Sequence, residues 1–178
     1  MCGIVGYIGN KPAYDILING LKKLEYRGYD SSGIMIYNEK KLVKKIKGKV
    51  TDLENLFTNS NEKKGSIGIG HTRWATHGPP NKTNSHPHTS NSGEITLVHN
   101  GIFENYDSIK KVLIKKGYVF HSETDSEVLV NLIEDIKKTK KVKLGKAVYY
   151  ALKQVVGAYA IVVFDSNNPK EIVGARLG

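Results

Sequence analysis

The chain has 178 residues, 39% of them hydrophobic and 25% charged, which fits a single globular domain large enough to bury a core. No apolar run approaches the ~20 residues that span a bilayer, the glycine-broken start MCGIVGYIGN lacks a basic secretory n-region, and a lone cysteine cannot close an internal disulfide, so a reducing, cytoplasmic setting is expected. The formal charge is +10, but 24 of the 27 basic residues are lysines scattered along the chain, often as KK pairs, which reads as solvated surface rather than a nucleic-acid footprint.

In chain order, a strand is expected over Gly3–Ile8, then a helix over Pro12–Glu25 with Tyr14, Leu17, Leu21 and Leu24 on one face. Strand-like runs follow at Gly33–Tyr37, Leu42–Ile46, Ile67–His71 and Glu94–His99. The polar stretches Thr58–Gly65 and Gly78–Ser92 read as surface loops. Helices are expected over Asn105–Lys116, after a Thr124-x-x-Glu127 capping box, and over Leu144–Val156. Two more strands, Ala158–Phe164 and Glu171–Ala175, end the pattern. Strands come in runs and helices in groups, which predicts a layered α+β fold with largely antiparallel sheets. The stop at Gly178, directly after a strand and without a terminal helix, reads as a C-terminal truncation.

Several residues could carry chemistry. Removal of Met1 would place the Cys2 thiol and a free α-amine on one residue, and an α-amine with a pKa of about 7.7–8.0 can act as a base at neutral pH. From position alone the favoured reading of Cys2 is a small hydrophobe opening a strand. Arg27 and Asp30, in LEYRGYDSSG, suit an ion pair in a turn or a site. Arg73 and Trp74, in HTRWATHG, suit recognition of a small carboxylate, or a loop whose indole packs on the core. His71, His77, His86 and His88 are close in sequence but lack metal-site spacing; no metal site is expected, and histidines hydrogen-bonded around a pocket are the better reading. Asn100-Gly101 is a strong hairpin-turn signal, or else a pair of oxyanion donors. Asp125 is a helix-start acid, or a carboxylate for a substrate ammonium.

Taken in order, MCGIVGYIG, LEYRGYDSSG, HTRWATHG, HPH, VHNGIFEN and SETDSEV closely resemble the glutaminase domain of the class II, N-terminal-nucleophile glutamine amidotransferases. The Tyr26–Asp30 motif, the full HTRWATHG and His86-Pro-His88 look specifically like the aminosugar-forming branch, with an amidophosphoribosyltransferase-like glutaminase or a silent glutamine-binding module as alternatives. The resemblance implies a four-layer αββα sandwich and an incomplete glutaminase domain over residues 1–178, with no sugar-isomerase domain in the chain. It implies Cys2 as nucleophile with its own amine as base, Asn100 and Gly101 as oxyanion hole, and Arg27 as a brace near Cys2. Arg73 would hold the α-carboxylate of glutamine and Asp125 its α-ammonium. Thr76 and His77 would belong to a closing loop, with Trp74 beside the ammonia exit. No cofactor, nucleic acid or membrane is implied. The implied partners are glutamine and a sugar-isomerase domain using fructose 6-phosphate, through which the enzyme would form a homo-oligomer.

Overall fold

The computed structural model describes residues 2–76 and 78–178. Two four-stranded antiparallel sheets lie at its centre. The first has the order β1 (Gly3–Ile8), β4 (Ile67–Arg73), β2 (Ser31–Asn38), β3 (Lys40–Ile46). The second has β5 (His88–Thr89), β6 (Ile95–Gly101), β7 (Tyr159–Asp165) and β8 (Ile172–Leu177). Helices α1 (Ala13–Leu24) and α2 (Val50–Glu54) cover the first sheet. Helices α3 (Tyr106–Lys115), α4 (Asp125–Lys140) and α5 (Leu144–Leu152) cover the second. No helix among the described residues is long and apolar enough to cross a membrane.

Strand alternation creates the layers. On β2, Ile34 and Ile36 face the α1/α2 core, while Met35 faces Ile69, Val98 and Phe164 between the sheets. On β4, Ile67 and Ile69 join that middle core and the intervening glycines face α1. A Cβ on Gly68 would lie 2.5 Å from Leu17 Cδ1 and 2.8 Å from the Met35 carbonyl, so the missing side chains let α1 lie close to the sheet. Ile95 and Leu97 of β6 pack instead against the three-helix layer. Three apolar interfaces thus separate helix, sheet, sheet and helix, which is the expected αββα sandwich.

The structure departs from the local reading in four places. Helix α2 and strand β5 were not anticipated, since both are too short to show a period. Helix α5 stops at Leu152, and Gln154 N–H then turns back to the Ala151 carbonyl (2.9 Å). The stretch expected as a surface loop after Gly78 buries Asn84, Ser85, His86 and His88. Its polar groups are satisfied internally: Ser85 Oγ donates to Asn81 O (2.7 Å) and Lys45 Nζ to Ser85 O (2.8 Å). Finally, the capping box at α4 is half formed. Thr124 Oγ1 accepts from Glu127 N–H (3.3 Å), but the Glu127 carboxylate turns to the N–H groups of His121 (2.9 Å) and Ser122 (2.6 Å).

Candidate active site

Strand register brings the motifs together at one end of the sandwich. Gly3 pairs with Thr72 and Ser31 with Arg73, so the residue before β1 meets the chain leaving β4. Cys2 Sγ accepts the Trp74 N–H at 3.1 Å. From the second sheet, Asn100 Nδ2 donates to the Cys2 carbonyl at 2.9 Å. His71 Nε2 lies 2.7 Å from Asn100 Oδ1 and 3.0 Å from the His99 carbonyl.

Asn100 and Gly101 do not form a hairpin turn. They pair with Ala160 and Tyr159 at the end of β6. Gly101 has φ +133°, and a Cβ there would sit 2.1 Å from the Ala158 carbonyl, so the position accepts glycine only. The turn signal came from the same glycine conformational freedom, used here to end a strand.

A cleft of about 350 Å³ opens at this end, within the small-molecule range. Cys2, Arg27, Arg73, Trp74, Thr76, Asn100, Gly101 and Asp125 all line it. His77 lies outside the described residues. Buried Arg73 donates to the carbonyls of Gly78 (3.3 Å) and Pro79 (3.4 Å). Trp74 does not pack on the core: the residue is 48% exposed and its ring meets Tyr29 edge-on at 5.5 Å. Asp30 accepts the Ala75 N–H and donates its own N–H to Arg73 O (3.1 Å), clamping the loop that carries Trp74. Asp125 is buried; Oδ2 accepts Phe103 N–H at 2.9 Å and Oδ1 lies 3.4 Å from Ser126 Oγ.

A buried histidine layer adjoins the cleft, with His86 and His99 in its lining. His71 stacks on His86 at 4.1 Å, and His88 meets His86 edge-on at 4.7 Å. Ser126 Oγ bridges His86 Nε2 (2.9 Å) and His99 Nδ1 (2.8 Å). Burial pushes His71 down to about 4 and holds His86 and His88 well below the usual imidazole value. Among the described residues no group of His, Cys, Asp and Glu is arranged to hold a metal. The sequence pointed to three of these histidines. His99 and Ser126 were missed, although each adjoins a motif residue, Asn100 and Asp125.

Burial also pushes the Cys2 thiol up, against the Trp74 N–H that favours the thiolate. The sulfur is therefore a thiol at neutral pH and must shed a proton to react. A buried arginine, a buried carboxylate, a sulfur and an amide donor around one small cleft suit a zwitterionic amino acid with its side chain directed at the sulfur.

The glutamine amidotransferase domain family matches residues 38–178. The glutamine–fructose-6-phosphate aminotransferase [isomerizing] of Bacteroides thetaiotaomicron is 56% identical over 99% of this chain and 29% of its own length. That of Chlorobaculum tepidum is 52% identical over 100% of this chain and 30% of its own. The chain thus spans less than a third of these relatives. Among solved structures, a glutamine phosphoribosylpyrophosphate amidotransferase from B. subtilis superposes with TM-score 0.78 and 29% identity, over 93% of this chain and 35% of that one. A class-II glutamine aminotransferase domain protein from Silicibacter pomeroyi shares the fold at TM-score 0.56 and 15% identity, over 84% of this chain and 69% of that one. The four-layer sandwich, the clustered motifs and these matches agree, and the chain belongs to the glutamine amidotransferase domain family, with the N-terminal-nucleophile fold of its class II members.

Proposed function

We propose that the chain hydrolyses glutamine to glutamate and ammonia, with Cys2 as nucleophile once Met1 has been removed. The observation that supports this most directly is the 2.9 Å contact between Asn100 Nδ2 and the Cys2 carbonyl, which sets an amide donor beside the sulfur at the cleft.

The chemistry follows from the groups present. The α-amine of Cys2 takes the thiol proton as sulfur bonds to the side-chain carbonyl carbon of glutamine. The oxygen becomes an oxyanion, held by Asn100 Nδ2–H and the Gly101 N–H. As the tetrahedral intermediate collapses, the C–N bond breaks and the ammonium returns its proton to the leaving nitrogen, releasing NH₃ and a γ-glutamyl thioester. Water, deprotonated by the same amine, then attacks the thioester to give glutamate and the thiol. Arg73 binds the α-carboxylate, exchanging its long contacts to Gly78 and Pro79 for a two-pronged pair. Asp125 binds the α-ammonium. Arg27 braces the Cys2 side of the cleft, and Thr76 with His77 belongs to the segment that closes over substrate beside Trp74. Every step uses protein groups, with no cofactor.

The ammonia acceptor we assign is fructose 6-phosphate, converted to glucosamine 6-phosphate by a sugar-isomerase domain outside these 178 residues, with homo-oligomers formed through that domain. The relatives named for that reaction are 56% and 52% identical, against 29% for the phosphoribosylpyrophosphate amidotransferase. The test is glutamate release by the purified chain, together with mass spectrometry. Loss of Met1, one covalent adduct on Cys2 from a diazoketone analogue of glutamine, and no turnover by Cys2→Ala are expected. Hydrolysis that survives Cys2→Ala overturns the assignment.

A further inference from the structure

The contact between His71 and Asn100 has a direction that the backbone dictates. His71 Nε2 faces two oxygens, Asn100 Oδ1 at 2.7 Å and the His99 carbonyl at 3.0 Å. A backbone carbonyl only accepts, so Nε2 must carry a proton. At its other end the Asn100 amide lies 2.9 Å from the Cys2 carbonyl, again an acceptor only. The amide nitrogen must therefore face Cys2 and the amide oxygen must face His71. The reverse orientation would press Oδ1 against the Cys2 carbonyl oxygen. Two carbonyls, one at each end of the pair, thus fix both the imidazole tautomer and the amide orientation.

We propose that His71 is a positioning residue that holds the Asn100 amide with its N–H side turned to the reacting sulfur. The proposal rests on the glutaminase reading above. His71 is 1% exposed and stacked on His86, so its ring is locked. Its Nδ1 is buried without a hydrogen-bond partner, so the site offers nothing to an added proton. The ring thus stays neutral, as its downward pKa shift to about 4 agrees. His71 does not line the cleft, whereas Asn100 does. Its influence must therefore reach the reaction through the oxyanion donor and leave glutamine binding nearly untouched.

Two measurements test this on the 178-residue chain. The first is nitrogen-15 NMR of the histidine rings. Neutral His71 protonated at Nε2 at pH 7 is expected; an Nδ1–H tautomer or an imidazolium overturns the proposal. The second compares His71→Leu, which removes the donor, with His71→Gln, which keeps an N–H at the end of the side chain. Loss of one oxyanion donor costs roughly 100- to 1,000-fold in kcat, so misdirecting it should cost His71→Leu about 30- to 300-fold, with KM within about threefold and at least a tenfold recovery in His71→Gln. Alkylation of Cys2 by iodoacetamide uses no oxyanion hole and should stay within about threefold of wild type. A loss confined to KM, an unchanged kcat in His71→Leu, or equal loss in both variants overturns the proposal. A wild-type chain that releases no glutamate overturns the glutaminase reading instead, and where His71→Leu fails to fold the wild-type tautomer decides.

Discussion

Asp125 accepts the backbone N–H of Phe103 through Oδ2 at 2.9 Å, tying the first residue of α4 to the chain leaving β6. One carboxylate oxygen is thus structural, and the other lies toward Ser126 and His99. The two functions separate by substitution. Asp125→Asn keeps an oxygen for Phe103 and removes the charge; KM for glutamine should rise about 30- to 1,000-fold, the equivalent of ~2–4 kcal/mol, with the urea midpoint little changed. Asp125→Ala should add a stability loss of about 1–3 kcal/mol, because the Phe103 N–H is left unpaired. Unchanged KM in both variants would remove Asp125 from the proposed ammonium site.

Arg73→Lys tests the carboxylate grip. Lysine keeps the charge but loses the planar fork. A KM rise of about 10- to 100-fold with kcat within a few-fold is expected, read from glutamate release. A larger fall in kcat than rise in KM would assign Arg73 to the chemical step instead.

The thiol of Cys2 is pushed up by burial, so the proposed reaction needs a base. If that base is the α-amine, kcat/KM should climb tenfold per pH unit below about 7.7 and level off above it. Carbamylation of the α-amine should abolish turnover while iodoacetamide still alkylates the sulfur. Turnover by carbamylated enzyme would exclude the amine.

The histidine layer predicts acid lability. His71 titrates near 4 in the fold, against 6.5 for a free imidazole, and His86 and His88 are shifted in the same direction. Below pH 6.5 the unfolded chain therefore binds protons that the folded chain refuses. Stability is fully present above that pH and falls as pH drops toward 4, by about 1.4 kcal/mol per pH unit for each such histidine. Urea midpoints measured from pH 7 to 4.5 should fall steeply. A flat profile would mean that the buried rings accept protons in place.

Gly68→Ala tests the close approach of α1. The added Cβ would meet Leu17 Cδ1 at 2.5 Å and the Met35 carbonyl at 2.8 Å. The leucine can rotate, but the carbonyl belongs to the sheet. Overpacking should cost about 1–3 kcal/mol in urea unfolding, with the cleft residues undisturbed.

The sequence by itself determined the longer elements and their order, but not α2 and β5, which are too short to show a period. The continuous apolar run of β2, buried on both faces, and the amphipathic face of α1 are local consequences of which side chains must leave water, and both formed where expected. It also named the cleft: eight described residues singled out in the motifs line one cavity. What the tertiary structure decided were the pairings. Asn100 reaches Cys2 across 98 positions, and Asn100-Gly101, a turn signal or a pair of oxyanion donors by sequence, is kept out of a turn by its pairing with β7. Ser126 joins His86 to His99, forming a layer that no spacing announced. Periodicity records burial of one segment against the rest. Hydrogen bonds between distant segments depend on strand register and on how two sheets stack, and neither is encoded in any single stretch of the chain.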